Sequence, residues 1–213
     1  PVLEDNDKTI GVVSGVLGIR WFDCTVTGME AHAGPTPMAL RKDALLAATR
    51  IMQDVVAAAH RHPPHGRGTV GMVQVFPNSR NVIPGRIKFS IDLRNSTDTL
   101  VDAMAAEVKA FADQVAKEHG VQVHIEMVSS YPAQLFQPEC VQAVGRAAAK
   151  LGYSHMPAVS GAGHDAVYMA KLAPSGMIFI PCKDGISHNE IEDAKPEHIE
   201  AGCNVLLHAM LER

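Results

Sequence analysis

The chain has 213 residues, and 19 lysines and arginines against 23 aspartates and glutamates give it a formal net charge of −4. This charge disfavours a protein that binds nucleic acid or anionic membranes by general attraction. Hydrophobic residues make up 46% of the chain, which is enough for a packed core and argues against disorder. No apolar run reaches the roughly 20 residues of a spanning helix. The four cysteines lack C-x-x-C spacing, so we expect a reducing, cytoplasmic location.

Alternating apolar and polar residues predict four strands in the first part of the chain. They cover residues 19–26, 69–76, 86–93 and 121–127. One predicted helix begins at a Thr36 cap followed by Pro37, and the other runs from Ser96 or Thr97 to a stop at Gly120. The order β-α-β-β-α-β predicts an α+β unit over about 18–130, with a four-stranded antiparallel sheet and both helices on one face.

The rest of the chain is typical of an α/β domain. Helices are predicted over about 137–151, 164–171 and 196–211. The continuous apolar run from Met177 to Pro181 is typical of a buried parallel strand. These elements, together with residues 1–17, are too few to close a sheet. We therefore expect residues 1–17 and 131–213 to form part of an incomplete α/β domain that carries the 18–130 unit as an insertion.

His188 lies in the loop after this apolar strand, where ligands bind in open α/β sheets. A neutral imidazole can bind a divalent metal there, with Glu190 or Asp165 orienting it. Position alone favours the alternative, a loop histidine that is hydrogen-bonded to backbone. The roles of Glu190, Asp165 and His164 stay open.

Two further sequence features are candidate binding elements. Gly161-Ala162-Gly163 precedes a predicted helix, where exposed backbone N–H groups can bind a carboxylate or an oxyanion; a junction that needs glycine for positive φ is the alternative. His32 lies in a loop of small residues that leaves its ring accessible. Asn81 and Arg94, placed at one end of the sheet, could hold a carboxylate, although an ordinary turn beside a solvated sheet edge fits equally well.

Taken together, these segments resemble the hydantoinase/carbamoylase family of amidases over essentially the whole chain. That family includes N-carbamoyl-L-amino-acid hydrolases, allantoate amidohydrolases and ureidopropionases, within the superfamily of di-metal aminoacylases and carboxypeptidases. The motifs that carry the resemblance, in family order, are Gly28–Met38, Asn78–Gly85, Phe89–Arg94, Gly161–Ala166 and Ser187–Glu190.

The resemblance implies a fold, an activity and a set of site residues. Residues 18–130 would be the dimerisation (lid) domain of a homodimer. The intact enzyme would hydrolyse a small ureido or N-carbamoyl acid by a water that two divalent ions (Zn, Mn or Co) activate. His188 would be a metal ligand, and His32, from the other subunit, would stabilise the oxyanion. Asn81 and Arg94 of that same lid domain would bind the substrate carboxylate, and Gly161, Ala162 and Gly163 would complete the substrate pocket.

The chain also departs from the family, whose members are about twice as long. The remaining metal ligands and the general base would lie before Pro1, because Pro1-Val2-Leu3-Glu4 resembles the stretch that follows the family's His-Ile-Glu-Gln-Gly segment. We therefore expect the C-terminal half of an amidohydrolase, inactive alone and lacking a complete metal site. An aminoacylase or dipeptidase of the same superfamily, or a non-catalytic dimerisation module, are the alternatives.

Overall fold

The computed structural model describes residues 1–212, and the chain in it folds as two units. One unit comprises Pro1–Val16 and the described residues from Gln134 onward, and the other comprises Leu17–Ala133. The first unit opens with helix α1 (Val2–Asp5) and strand β1 (Ile10–Val16). Within residues 1–212, no helix combines the length and the apolar character that crossing a membrane requires.

The unit of Leu17–Ala133 is an antiparallel sheet with two long helices. The strands are ordered β4-β7-β2-β8, and β5 pairs with the same central strand as β4. Its elements are β2 (Gly18–Thr27), β3 (Ala31–His32), α2 (Ala44–Arg61), β4 (Arg67–Thr69), β5 (Val73–Phe76), β6 (Val82–Ile83), β7 (Arg86–Asn95), α3 (Asp98–His119) and β8 (Gln122–Tyr131). The predicted strand over 69–76 is thus interrupted, which gives five strands instead of four.

Alternate side chains of the two central strands pack against both helices. Phe22 and Phe89, on β2 and β7, are almost fully buried in one cluster with Ile51 of α2 and Met104 of α3. Each fully buried side chain of this size contributes roughly 1.5–3 kcal/mol. The alternation of apolar and polar residues in the sequence corresponds to this buried face. The predicted α+β class of the unit is confirmed.

The start of helix α2 differs from the prediction. The Asp43 carboxylate caps it, accepting the backbone N–H groups of Leu45 at 2.9 Å and Leu46 at 3.0 Å. Thr36, the predicted cap, instead donates its hydroxyl to the carbonyl oxygen of His32 at 2.6 Å. The Thr36 prediction was wrong because this local hydrogen bond holds the residue in the preceding loop.

The other unit is a mixed sheet with helices. Its remaining elements are β9 (Gln134–Leu135), α4 (Pro138–Lys150), β10 (His155–Ser160), α5 (Asp165–Met169), β11 (Met177–Phe179) and α6 (Pro196–Leu211). Strand β1 pairs parallel with β10 but antiparallel with β11 and β9. The expectation of a buried parallel strand from Met177 to Pro181 was therefore wrong: β11 is antiparallel to β1 and half-buried, because a continuous apolar run does not specify strand direction.

Candidate active site

His32 lies at the end of a very short β-ladder. Strand β3 pairs with β6, so that Ala31 is opposite Ile83 and His32 is opposite Val82. The His32 side chain is exposed, and its Nδ1 accepts the backbone N–H of Gly34 at 3.1 Å. The imidazole is therefore accessible and is held by its own loop.

Glycines allow the chain to turn tightly around this ladder. A Cβ at Gly28 would lie 2.0 Å from the carbonyl oxygen of Lys42, and a Cβ at Gly85 would lie 2.3 Å from Cγ of Glu30. Contacts this short exclude any side chain at Gly28. A side chain at position 85 would require the side chain of Glu30 to move. The two glycines therefore permit the close approach that places β3 beside β6.

The structure brings Asn81 beside the His32 loop. The carbonyl oxygen of Asn81 accepts the backbone N–H of Ala33 at 2.9 Å, and its side-chain oxygen accepts the hydroxyl of Ser79 at 3.1 Å. Asn78, at φ 60°, adopts the left-handed conformation that this turn requires. His32 and Asn81 thus form one polar, exposed corner of the unit.

Arg94 lies at the opposite end of β7 from this corner. It pairs with Ile19 of β2 and Arg67 of β4. The eight residue steps from Arg86 to Arg94 span about 26 Å at ~3.3 Å per residue. The prediction that Asn81 and Arg94 share one sheet end was wrong, because Asn81 precedes the strand while Arg94 almost ends it.

The Arg94 guanidinium is held by its neighbour on the same strand face. Its Nη2 lies 2.6 Å from Oδ2 of Asp92, and its Nε lies 2.9 Å from Oδ1. These hydrogen bonds, with the charge of Asp92, raise the pKa of Arg94 above its ordinary value despite partial burial. Sequence reasoning missed Asp92 as an orienting residue, although its i, i+2 spacing from Arg94 on a strand indicates a shared face.

The small-residue segment connects β10 to α5. The Ser160 hydroxyl donates to the carbonyl oxygen of Ala162 at 2.8 Å and lies 2.9 Å from Nε2 of His164. Neither Gly161 nor Gly163 has a positive φ, and a Cβ at either would have no atom within 4 Å. A need for positive φ therefore does not explain these glycines.

His188 lies in an exposed loop of the same unit, at φ 58°. Its backbone N–H donates to Oε2 of Glu192 at 2.9 Å, a bond that helps to hold the loop and leaves the imidazole without an assigned orienting carboxylate. In the part of the chain that is described, no three His, Cys, Asp or Glu side chains are arranged to hold a metal ion. The residues present do not by themselves fit a two-metal site.

The sequence matches peptidase family M20/M25/M40 over residues 11–212. The chain belongs to this family. It is 46% identical over 212 residues to the N-carbamoyl-L-amino-acid amidohydrolase of Rhizobium meliloti, covering 100% of this chain and 51% of that protein. It is 31% identical to the allantoate amidohydrolase of Bacillus subtilis, covering 96% of this chain and 50% of the relative.

A solved structure agrees with these relatives. The crystal structure of an amidase of the hydantoinase/carbamoylase family from Burkholderia multivorans matches with a TM-score of 0.97 and 53% identity, covering 100% of this chain and 52% of that one. The predicted resemblance to this family is confirmed. The chain spans about half the length of the curated relatives it matches.

Proposed function

We propose that these residues belong to an amidohydrolase that cleaves a C–N bond of N-carbamoyl-L-amino acids or related ureido acids. The observation that carries the proposal is the 46% identity to the Rhizobium meliloti enzyme across the whole chain. The exposed His32–Asn81 corner supports it, since it offers polar donors for a substrate that is itself polar and anionic. The proposed reaction is that of an enzyme of the relatives' full length, about half of which this chain covers.

His32 would act on the carbonyl that is attacked by water. Negative charge develops on that oxygen in the transition state, and a hydrogen-bond donor placed there lowers the barrier. An exposed imidazole on a tightly hydrogen-bonded loop is suited to this role, because little reorganisation accompanies the reaction. The general base would come from outside the described residues.

Asn81 and Arg94 would bind the substrate carboxylate together only if they come from two chains. Their separation along β7 greatly exceeds the size of a carboxylate. Strand β8 is a sheet edge, pairing only with β2 among the described strands, and such an edge can pair with a second copy. A homodimer in which one chain supplies His32 and Asn81 and its partner supplies Arg94 satisfies this geometry.

The metal requirement is part of the proposal. His188 would supply one imidazole to a pair of divalent ions, whose chemistry is to make a water nucleophilic at neutral pH. The other ligands would come from outside residues 1–212. Gly161, Ala162 and Gly163 would complete the substrate pocket with backbone N–H groups.

The test is a substrate comparison with an enzyme of the relatives' full length that contains these residues. N-carbamoyl-L-amino acids and allantoate are compared with the matching N-acetyl-L-amino acids and dipeptides, after addition of Zn²⁺, Mn²⁺ or Co²⁺. We expect hydrolysis of the ureido substrates at the higher kcat/KM. Preference for the N-acetyl or peptide substrates would instead establish an aminoacylase or dipeptidase, and no hydrolysis would favour a binding module.

A further inference from the structure

We propose that the loop after His32 fixes its imidazole in the tautomer that carries hydrogen on Nε2, and that Arg41 is the positioning residue that maintains this loop. The importance of this tautomer for catalysis rests on the proposed function. The tautomer itself can be measured without any activity.

A single hydrogen bond determines which nitrogen carries the hydrogen. A neutral imidazole has one donor nitrogen and one acceptor nitrogen. The backbone N–H of Gly34 donates to Nδ1 of His32 at 3.1 Å, so Nδ1 is the acceptor and the hydrogen lies on Nε2. The exposed ring therefore presents an N–H donor at Nε2, the property that stabilisation of a carbonyl oxyanion needs.

The loop is held in this geometry by side chains that bond to its carbonyl groups. The Arg41 guanidinium donates from Nη2 to the carbonyl oxygen of Ala33 at 2.6 Å and from Nε to that of Thr36 at 3.1 Å. Its two bonds enclose the segment that contains Gly34. The Thr36 hydroxyl closes the loop onto the carbonyl oxygen of His32 at 2.6 Å.

The chemistry of arginine suits this bridge. Only a planar guanidinium offers donors in a fixed fork to two carbonyl groups at once. Arg41 is half-buried, whereas its neighbour Lys42 is exposed. Lys42 therefore provides a matched control in which an adjacent positive charge can be removed without loss of the bridge.

The first experiment measures the tautomer by NMR of the 213-residue chain with ¹⁵N-labelled histidine. The His32 signals are assigned by their loss in His32→Gln. We expect hydrogen bonded to Nε2 and an unprotonated Nδ1 at a pH at which the ring is neutral. Hydrogen on Nδ1, or an equal mixture of the two forms, would overturn the proposal.

The second experiment isolates the Gly34 donor. Gly34→Pro removes the backbone N–H, whereas Gly34→Ala keeps it, and either Cβ would lie 3.4 Å from the His32 ring. We expect the proline variant to lose the preference for Nε2–H and the alanine variant to retain it. The same tautomer in both variants would show that the Gly34 N–H does not select it.

The third experiment tests Arg41. We expect Arg41→Met to give a mixture of tautomers and Lys42→Met to leave the spectrum of His32 unchanged. In the full-length enzyme, Arg41→Met should lower kcat by about 2- to 10-fold, with little change in KM. This is the worth of the neutral hydrogen bond between the Gly34 N–H and Nδ1 of His32, which the variant weakens. An unchanged tautomer in folded Arg41→Met would exclude the role of Arg41. If this variant does not fold, Arg41→Lys makes the same test, because it keeps the charge but loses the fork of donors.

The two proposals can fail separately. A mixed tautomer in Arg41→Met with an unchanged kcat would support the loop and contradict the catalytic role of His32. A fixed Nδ1–H tautomer in the parent chain would contradict the loop proposal even if the enzyme hydrolyses ureido acids.

Discussion

His32 and Arg94, which we assign to different groups of the substrate, should fail differently when they are replaced. His32→Ala should lower kcat by roughly 10²–10³, because an oxyanion donor acts mainly in the transition state. Arg94→Lys should chiefly raise KM, because a carboxylate is bound alike in ground and transition states and lysine cannot make two parallel bonds. Steady-state kinetics of the full-length enzyme distinguish the two. Equal effects of both substitutions on KM would contradict the role of His32.

Cysteine reactivity should report the burial of individual residues. Burial raises the pKa of the Cys24 thiol to about 12, so almost no reactive thiolate is present at pH 8. Cys203 is exposed on α6. Iodoacetamide at pH 8, followed by peptide mass spectrometry, should modify Cys203 first and Cys24 only in denaturant. Modification of native Cys24 at the rate of Cys203 would show that its strand is not packed as described.

At the level of single elements, the cap of α2 can be tested directly. Asp43→Ala removes the acceptor for the N–H groups of Leu45 and Leu46, and it should lower the free energy of unfolding by about 1 kcal/mol. Asp43→Asn keeps an acceptor and should cost less. Urea unfolding measures both. Thr36→Val should lower the free energy of unfolding less than Asp43→Ala does. A larger loss in Thr36→Val would indicate that Thr36 is the cap after all.

The elements that sequence reasoning predicted correctly are those with a local signal. The alternation over 86–93 identified strand β7 (Arg86–Asn95). The cap predicted at Ser96 or Thr97 and the stop predicted at Gly120 identified α3. In the structure Thr97 is the cap, its Oγ1 accepting the N–H of Leu100, and Gly120 has φ 61°. Strand β1 was missed because nearly all its residues are buried, which removes the alternation that marks a half-buried strand.

The candidate site was harder to predict because it depends on pairing between distant residues. The β3–β6 ladder has two residues in each strand, too short for any periodicity, yet it brings His32 and Asn81 together. Arg94 was identified by its residue type, but its distance from Asn81 follows from the full length of β7. Motif resemblance found these residues, and only the structure shows which of them share one corner.

At the level of the whole molecule, the two units should differ in stability when the 213-residue chain is studied alone. The Leu17–Ala133 unit has a continuous core shared by sheet and helices. The other unit divides its buried side chains between two smaller clusters. Amide hydrogen exchange should therefore be slower in β2 and β7 than in β1 and β10. Stronger protection of β1 and β10 would contradict this order.

The proposed division of the site between two chains makes a prediction about mixed dimers of the full-length enzyme. When His32→Ala is mixed with Arg94→Ala, each heterodimer should contain one site in which both residues are intact, because the two residues come from different chains. Random pairing makes half of the dimers heterodimers, so recovery of about a quarter of wild-type activity is expected.

Mixing His32→Ala with Asn81→Ala should give no recovery, since both residues come from the same corner of one chain and every site then lacks one of them. Native mass spectrometry confirms that heterodimers form in both mixtures. If they form and neither mixture recovers activity, Arg94 does not act on the same substrate as His32 of a partner chain, and the carboxylate must be bound by other residues.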